Sequence, residues 1–313
     1  MGGFPFPSPR RRTTRRASTG RPMFGVGRRQ AGPRGSGGSG GMKMRLLMAL
    51  AIAAFALISY YGNPGDENLV TGKMERVAMA EEEDEMRLGL QAAPQMVQQH
   101  GGPSRDARAR ARVEAVGREL LAGLDKNLVI AERTNPYKFN FTLLADPQTV
   151  NAFALPGGQV FITEALYQRL DRKGGNAELA GVLGHEIGHV LERHGNKRMA
   201  KQKLFSGLAT AGGMAGGDVQ SQQTAAMIAN MVSMRYGRED ELESDSWGVE
   251  LLVLAGYDPR AMVGVMKVLD EAGGGGGPPE MLSTHPKPAN RIEYIQQVIK
   301  ARFPDGLPPG LRL

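Results

Sequence analysis

The stretch His-Glu-Ile-Gly-His at residues 185–189 constrains the fold more than any other feature of this chain. On an α-helix, His185 and His189 project from one face about one turn apart, close enough to bind one metal ion. Glu186 then stands beside any water on that metal. The stretch therefore predicts a zinc site built on a helix.

The helix that carries this stretch is predicted to run from about Ala177 to Arg193. Apolar residues lie on nearly all of its sides, so it should be central and buried. Gly184 and Gly188 each cost about 1 kcal/mol of helix propensity relative to Ala, which indicates that another backbone or a substrate passes close by. Gly195 is expected to end the helix.

Two histidines supply only two of the three protein ligands that a catalytic zinc ion usually keeps. The chain has no Cys, so the third ligand must be a His or a carboxylate. The remaining histidines are His100, His194 and His285; His194 lies five residues beyond His189 and points well round the helix, so it is expected to be either a structural group or a support for the ligands, and not a ligand itself. Glu241 and Asp245 are four residues apart on one helix face, so one can bind metal while the other accepts a hydrogen bond from a ligand imidazole.

The net charge of +7 comes from the N-terminal part of the chain. Residues 1–45 contain eleven Lys and Arg and no acidic residue, whereas the remaining residues carry a net charge of −4. The basic balance therefore does not indicate a nucleic-acid-binding domain, and no nucleic-acid partner is expected. Residues 1–42 are rich in Arg, Gly, Ser and Pro, which predicts a disordered basic tail.

An uncharged apolar segment runs from Leu46 to Tyr61, with basic residues before it and tyrosines at its end. As a helix it reaches about 24 Å, slightly less than the hydrocarbon core of a bilayer. We predict a transmembrane signal anchor over residues 43–62, with a cleaved signal sequence or a buried helix as alternatives. The basic N-terminus would then lie in the cytoplasm and the rest of the chain in the periplasm or the exterior.

The remaining pattern predicts an α+β fold that is mainly helical. Residues 137–146 alternate apolar and polar side chains as in a half-buried strand, and residues 149–155 and 159–163 are predicted to form a hairpin around Pro156-Gly157-Gly158. Helices are expected near residues 105–124, 164–170, 241–254, 260–271 and 288–302, with two packed helices in 202–234. Residues 63–75 are predicted to be a linker, residues 304–313 a tail, and the acidic run 81–85 a solvated face.

Four separated segments carry a family resemblance: NAFALPGGQVFIT, HEIGHVLERHG, REDELESD and STHPKPANRI. Together they resemble the membrane-associated gluzincin metallopeptidases, which include the CAAX prenyl endopeptidases, HtpX and the BepA-like zinc proteases. The resemblance covers about residues 76–303. It implies a zincin-like metallopeptidase domain over that range, with a small β-sheet beside the active-site helix.

The same resemblance implies a set of roles. One zinc ion per chain is held by His185, His189 and Glu241, Asp245 supports a ligand imidazole, and Glu186 is the general base. Zinc activates a water molecule, and Glu186 takes its proton before the water attacks a peptide carbonyl. The chain departs from the common pattern at Gly237-Arg238 and at Ser244, and neither change removes a metal ligand.

Four further residues are expected at the site, and each pair of them has an alternative interpretation. His285 and Arg291 resemble family positions that approach the cleft and either stabilise the oxyanion or occupy the open zinc position, and the alternative is a capped surface loop with a helix salt bridge. The run that begins with Asn151 and Ala152 is expected to pair as an edge strand with an extended substrate, and the alternative is a purely structural hairpin.

These features predict a zinc-dependent endopeptidase, and the family resemblance alone implies that it hydrolyses peptide bonds of membrane or envelope proteins in protein quality control. Its substrates would be unfolded or misassembled polypeptides, and its location a bacterial inner membrane crossed once. The alternatives are a latent or non-proteolytic, chaperone-like zinc-binding protein and a protease of the mitochondrial inner membrane.

Overall fold

The computed structural model of the chain describes residues 39–171, 175–216, 236–273, 280–285 and 290–313. Its helices are α1 (Ser39–Tyr61), α2 (Glu82–Gln99), α3 (Ala107–Ile130), α4 (Glu164–Asp171), α5 (Ala177–Leu191), α6 (His194–Gly216), α7 (Arg238–Leu254), α8 (Ala261–Gly273), α9 (Glu280–Thr284) and α10 (Arg291–Arg302). Its strands are β1 (Asp66–Glu67), β2 (Met74–Glu75), β3 (Asn140–Leu144), β4 (Ala152–Leu155) and β5 (Gln159–Thr163). The predicted α+β class, mainly helical, is confirmed.

The larger sheet has three strands in the order β3-β5-β4. β5 is parallel to β3 and antiparallel to β4, with Leu155 opposite Gln159. The predicted hairpin is therefore confirmed, and Gly157 and Gly158 take positive φ angles of 80° and 102° in its turn, where glycine meets no steric penalty. Because β5 is central and β4 lies at the edge, one side of β4 has no strand beside it among the described residues.

Helix α5 lies in the centre of the domain, as its apolar composition predicts. Its side chains from Leu179 to Leu191 are buried, and α7, α8, α3 and the sheet pack around it. Burial of this kind provides the main favourable free energy of folding. The helix that carries the His-Glu-Ile-Gly-His stretch is thereby held rigidly on several sides.

The glycines of α5 mark the place where α7 crosses it. A Cβ atom at Gly188 would lie 2.8 Å from Cβ of Trp247 and 3.1 Å from Cα of Ser244, and one at Gly184 would lie 3.3 Å from Cα of Gly248. The close approach predicted from these glycines is confirmed, and the neighbour is the backbone of α7. This contact brings the residues of α7 next to those of α5.

The end of α5 differs from the prediction. The helix stops at Leu191, and Arg193 takes a positive φ of 52° before α6 begins at His194, so Gly195 lies inside a new helix. The Arg193 side chain is buried and donates a hydrogen bond from Nε to Oε1 of Glu85 over 2.6 Å. The expectation that the whole acidic run is solvated was therefore wrong for Glu85, because this carboxylate holds the turn.

The stretch predicted as a linker carries the small antiparallel pair β1–β2. Asn68, at its turn, donates hydrogen bonds from Nδ2 to the carbonyl oxygen of Leu191 over 2.8 Å and to Oε2 of Glu75 over 3.0 Å. A carbonyl at the C-terminal end of α5, which has no partner within the helix, is thereby satisfied. The pair β1–β2 is docked onto the end of the central helix.

Among the described residues, one helix is long and apolar enough to cross a membrane, Gly41–Tyr61, and 6% of its most apolar window is buried. Helix α6 packs along α1, and a Cβ atom at Gly207 would lie 2.8 Å from Cβ of Ala56. Residues 202–216, the first half of the predicted helix pair, belong to α6. The second half of that pair, the basic tail before residue 39, residues 274–279 and Pro288 lie outside the described residues.

Candidate metal centre

Three elements bring four side chains to one point. Helix α5 supplies His185 and His189, α7 supplies Glu241, and His285 follows α9 directly. One ligand atom from each of these residues lies within 4.8 Å of the others, and all four side chains are buried. The pair predicted on one helix and the carboxylate predicted on another are thus close together, as binding of one metal ion would require.

His185 is oriented by Asp245. Nδ1 of His185 lies 3.0 Å from Oδ1 of Asp245, so the imidazole N–H donates there and Nε2 faces Glu241 and His189. Burial lowers the pKa of His185, but the hydrogen bonds to Asp245 and Glu241 outweigh it and raise the pKa to about 9. A carboxylate that accepts from a ligand imidazole is the usual support of a metal-binding histidine.

Arg291 holds the two carboxylates of α7. It donates from Nε to Oδ2 of Asp245 over 2.7 Å and from Nη2 to Oδ1 over 2.6 Å, and Nη1 lies 3.0 Å from Oε2 of Glu241. Burial raises the pKa of Asp245, but the hydrogen bond from His185 and the charge of Arg291 keep it below the ordinary value. This buried guanidinium therefore fixes the carboxylates at the site.

Glu186 points into the site without a hydrogen-bond partner. Its carboxylate is 1% exposed, and neither oxygen accepts a hydrogen bond from the described residues. Oε1 lies 3.8 Å from Nε2 of His285. Burial is the largest influence and raises the pKa of Glu186 above its ordinary value, which suits a group that takes and returns a proton near neutral pH.

The donor set fits a divalent metal ion. Burial lowers the pKa of His189 well below its ordinary value, so this imidazole is neutral and has a lone pair to donate. Burial raises the pKa of Glu241, but the charge of His285 and hydrogen bonds from His185 and His285 keep it well below its ordinary value, so this carboxylate is ionised. Imidazole nitrogens and a carboxylate oxygen, together with orphaned oxygens of Glu186, are the ligands and base that a zinc-type ion uses.

His285 is the fourth donor. Its Nδ1 atom lies 3.0 Å from Oε1 of Glu241, 3.1 Å from Nε2 of His189 and 3.4 Å from Nε2 of His185. The side chain is 1% exposed. It therefore lies inside the ligand cluster.

The sequence reasoning missed Tyr236. This buried ring stacks on His189 with 4.0 Å between the ring centroids, lies 5.0 Å from the ring of His285, and carries the guanidinium of Arg198 at 4.3 Å on its face. A single aromatic residue before a helix has no periodicity that would mark it. Only the folded chain brings the ring of Tyr236 over the imidazole of His189.

Asn151 and Ala152 lie at the edge of the sheet. The carbonyl oxygen of Asn151 accepts from N of Thr163 over 3.0 Å, and because antiparallel pairs alternate, the backbone groups of Ala152 and Ala154 point away from β5. Oδ1 of Asn151 is buried and has no hydrogen-bond partner among the described residues. A recess beside this strand is lined by Ala154, His189 and other residues of β4 and α5.

Comparison with known proteins agrees with this geometry. Peptidase family M48 matches residues 107–299, which is more than half of the chain. The beta-barrel assembly-enhancing protease of Escherichia coli is 34% identical over 186 residues, 56% of this chain and 37% of that protein. The mitochondrial metalloendopeptidase OMA1 of Arabidopsis thaliana is 33% identical over 155 residues, 50% of this chain and 30% of that protein. The chain thus spans about a third of the length of these relatives.

Proposed function

The chain belongs to peptidase family M48, and from this premise we propose that it is a zinc-dependent endopeptidase. The observation that carries the proposal is the buried cluster of His185, His189 and Glu241 with the unpartnered carboxylate of Glu186 beside it. We propose that the first three hold one zinc ion and that residues 76–303 form the catalytic domain.

A bound zinc ion supplies Lewis-acid activation of water and of a peptide carbonyl. Glu186 acts as the general base: one of its oxygens accepts a proton from the attacking water and later returns it to the nitrogen of the leaving amine. Burial prepares Glu186 for this exchange, because it brings the two protonation states closer in free energy. Asp245 and Arg291 keep the ligands oriented while Glu186 transfers the proton.

The outer edge of β4, where no strand of the described residues pairs, is the proposed binding site for the polypeptide. An extended substrate adds a strand beside Ala152 and Ala154, whose backbone groups point away from β5, and the buried Oδ1 of Asn151 at the start of this strand has no hydrogen-bond partner among the described residues. Such binding depends mainly on backbone, so it selects unfolded segments over a particular sequence. A relative named for assisting β-barrel assembly supports misassembled envelope proteins as the substrate class.

The position of His285 favours a second candidate function. The Nδ1 atom of His285 lies among the other donors, so all four residues would hold the metal, and four protein ligands are typical of structural zinc sites that keep no open position. The protein is then latent until His285 moves away, or it is a non-proteolytic, chaperone-like zinc-binding protein. In the first case His285 controls access to the site, and in the second its position is permanent.

We propose that α1 anchors the protein in a membrane, with residues 43–62 as the span. The exposed apolar surface of α1 supports this placement. Helix α6 lies against α1 at Gly207 and has no charged residue between Leu204 and Gly216, so it is compatible with the same environment. The membrane in this proposal is a bacterial inner membrane, with the catalytic domain outside the cytoplasm, and a mitochondrial inner membrane is the alternative.

The test compares casein cleavage and zinc content in the wild type and in the variants Glu186→Gln, His285→Ala and the double variant. We expect one zinc per chain in all of them, cleavage by the wild type or at least by His285→Ala, and loss of that cleavage when Glu186→Gln is added. Cleavage that survives Glu186→Gln would refute the mechanism. Zinc binding without cleavage, even by His285→Ala, would favour the chaperone-like function.

A further inference from the structure

We infer that His194 and Glu243 position the metal ligand His189 through a chain of hydrogen bonds that ends at Lys73. Nδ1 of His189 lies 2.9 Å from Nδ1 of His194, and Nε2 of His194 lies 3.1 Å from Oε2 of Glu243. His194 has no exposed surface, so both of its ring nitrogens depend on these partners. The inference rests on the proposed metal site and adds two residues that act through His189.

The chemistry of the partners sets the direction of each hydrogen bond. An ionised carboxylate only accepts hydrogen bonds, so Nε2 of His194 carries the proton that is donated to Glu243. If Nδ1 of His194 also carried a proton, Nδ1 of His189 would have to accept it, and the N–H of His189 would then occupy Nε2, the atom proposed to bind the metal; Nδ1 of His194 is therefore the acceptor. It accepts the N–H at Nδ1 of His189, which leaves the lone pair of His189 on Nε2, the atom that faces His185 and His285.

Two features of the fold hold this series of hydrogen-bonded side chains in place. The left-handed turn at Arg193 reverses the backbone after α5, so that His194 returns to the ring of His189, five residues before it. Lys73 directly precedes β2 in the pair β1–β2. Its Nζ atom donates to Oε1 of Glu243 over 2.9 Å and to both oxygens of Glu192 over 3.0 Å. The two oxygens of Glu243 therefore have separate partners, and its carboxylate cannot rotate freely.

The two histidines of α5 are thus oriented by different hydrogen-bonding arrangements. His185 donates directly to a carboxylate, Asp245, whereas His189 reaches its carboxylate through an intervening imidazole. Two neighbours complete the surroundings of His194: Oγ of Ser244 is 3.3 Å from Nδ1, and Oδ1 of Asp240 is 3.8 Å from Nε2. Neither is closer than the partner at the same nitrogen.

The experiment measures zinc affinity of the full chain by competition with a chromogenic chelator, so that its readout does not depend on activity. The variant Glu243→Gln carries an amide that donates as well as accepts, so it no longer fixes the proton of His194. We expect it to weaken zinc binding about 10- to 100-fold, as loss of a partner behind a metal ligand typically does. The matched control is Glu239→Gln, an exposed glutamate on the same helix, which should bind zinc as the wild type does.

Two variants of His194 separate positioning from packing. In His194→Asn, the side-chain oxygen takes the place of Nδ1 and can still accept from His189, so zinc affinity should exceed that of His194→Leu. Nitrogen-15 NMR of the zinc-free protein should show His189 protonated at Nδ1 in the wild type and a mixture of tautomers in Glu243→Gln. Thermal melts of the zinc-free variants report whether each one is folded.

The outcomes separate the two proposals. A wild type that binds no zinc would overturn the metal site and this inference together. A wild type that binds zinc and cleaves casein, with Glu243→Gln binding equally well, would overturn only the positioning role. Two zinc ions per chain in the wild type, one of them lost in Glu243→Gln, would also overturn it, because Nε2 of His194 would then bind metal together with Asp240 and Glu243.

Discussion

Replacing Gly188 with Ala tests whether the contact between α5 and α7 sets the metal site. A Cβ atom at this position would lie 2.8 Å from Cβ of Trp247 and 3.1 Å from Cα of Ser244. Carbon atoms in contact prefer separations of about 3.5–4.0 Å. Neither neighbour is the free end of a flexible side chain, so the two helices must separate by several tenths of an ångström or more.

Two opposing contributions set the magnitude. Alanine is favoured over glycine in a helix by about 1 kcal/mol, so sequence reasoning alone predicts that the variant is more stable. Overpacking of a tight interior costs about 1–3 kcal/mol. The structure therefore predicts a net loss of stability of up to about 2 kcal/mol. The helix separation also moves Glu241 away from His189, so zinc affinity should fall.

The matched control is Gly181→Ala on the same helix. There a Cβ atom would meet Sδ of Met262 and Cγ2 of Val265, each at 3.2 Å, and these side-chain ends can move aside. This variant should be as stable as the wild type or more stable by up to about 1 kcal/mol, with unchanged zinc affinity. Urea unfolding of the zinc-free proteins and chelator competition measure both quantities. Equal stability and equal zinc affinity in the two variants would refute the reasoning.

Three further predictions concern other parts of the fold. Arg193→Met should lower the free energy of unfolding by about 3–5 kcal/mol because it removes the guanidinium that pairs with the buried carboxyl of Glu85, whereas the double variant with Glu85→Gln should recover most of that loss; additive losses in urea unfolding would contradict this. Burial raises the pKa of Glu85 more than Arg193 lowers it. The contribution of Glu85 to stability is therefore present below about pH 4.3 and is lost as the pH rises through its higher folded-state pKa. This dependence of stability on pH should disappear in Glu85→Gln. Deletion of residues 43–62 should release the protein from membranes in alkaline carbonate extraction, and a deleted chain that stays in the pellet would refute the proposed span.

Some elements were predictable because their signals are local. The i, i+4 spacing of two histidines fixes their common face on any helix, and the Pro-Gly-Gly turn between two apolar runs fixes a hairpin. The glycines of α5 indicated a close neighbour, since a helix tolerates them at a cost. The end of α5 was predicted wrongly because the turn at Arg193 depends on Glu85, which is 108 residues away in sequence.

The sequence by itself determined the helix, the residue types of a metal centre and the small sheet beside it, because each is written in a short repeating pattern. The tertiary structure alone decided that Arg291 hydrogen-bonds to Asp245 and that His285 enters the ligand cluster. It also decided that Tyr236 stacks on His189 and that His194 connects His189 to Glu243. These contacts join separate elements of the chain, and no local periodicity encodes which buried polar groups will meet. Burial makes the pairing obligatory, because an unpaired polar group in the interior costs free energy, but only packing selects the partner.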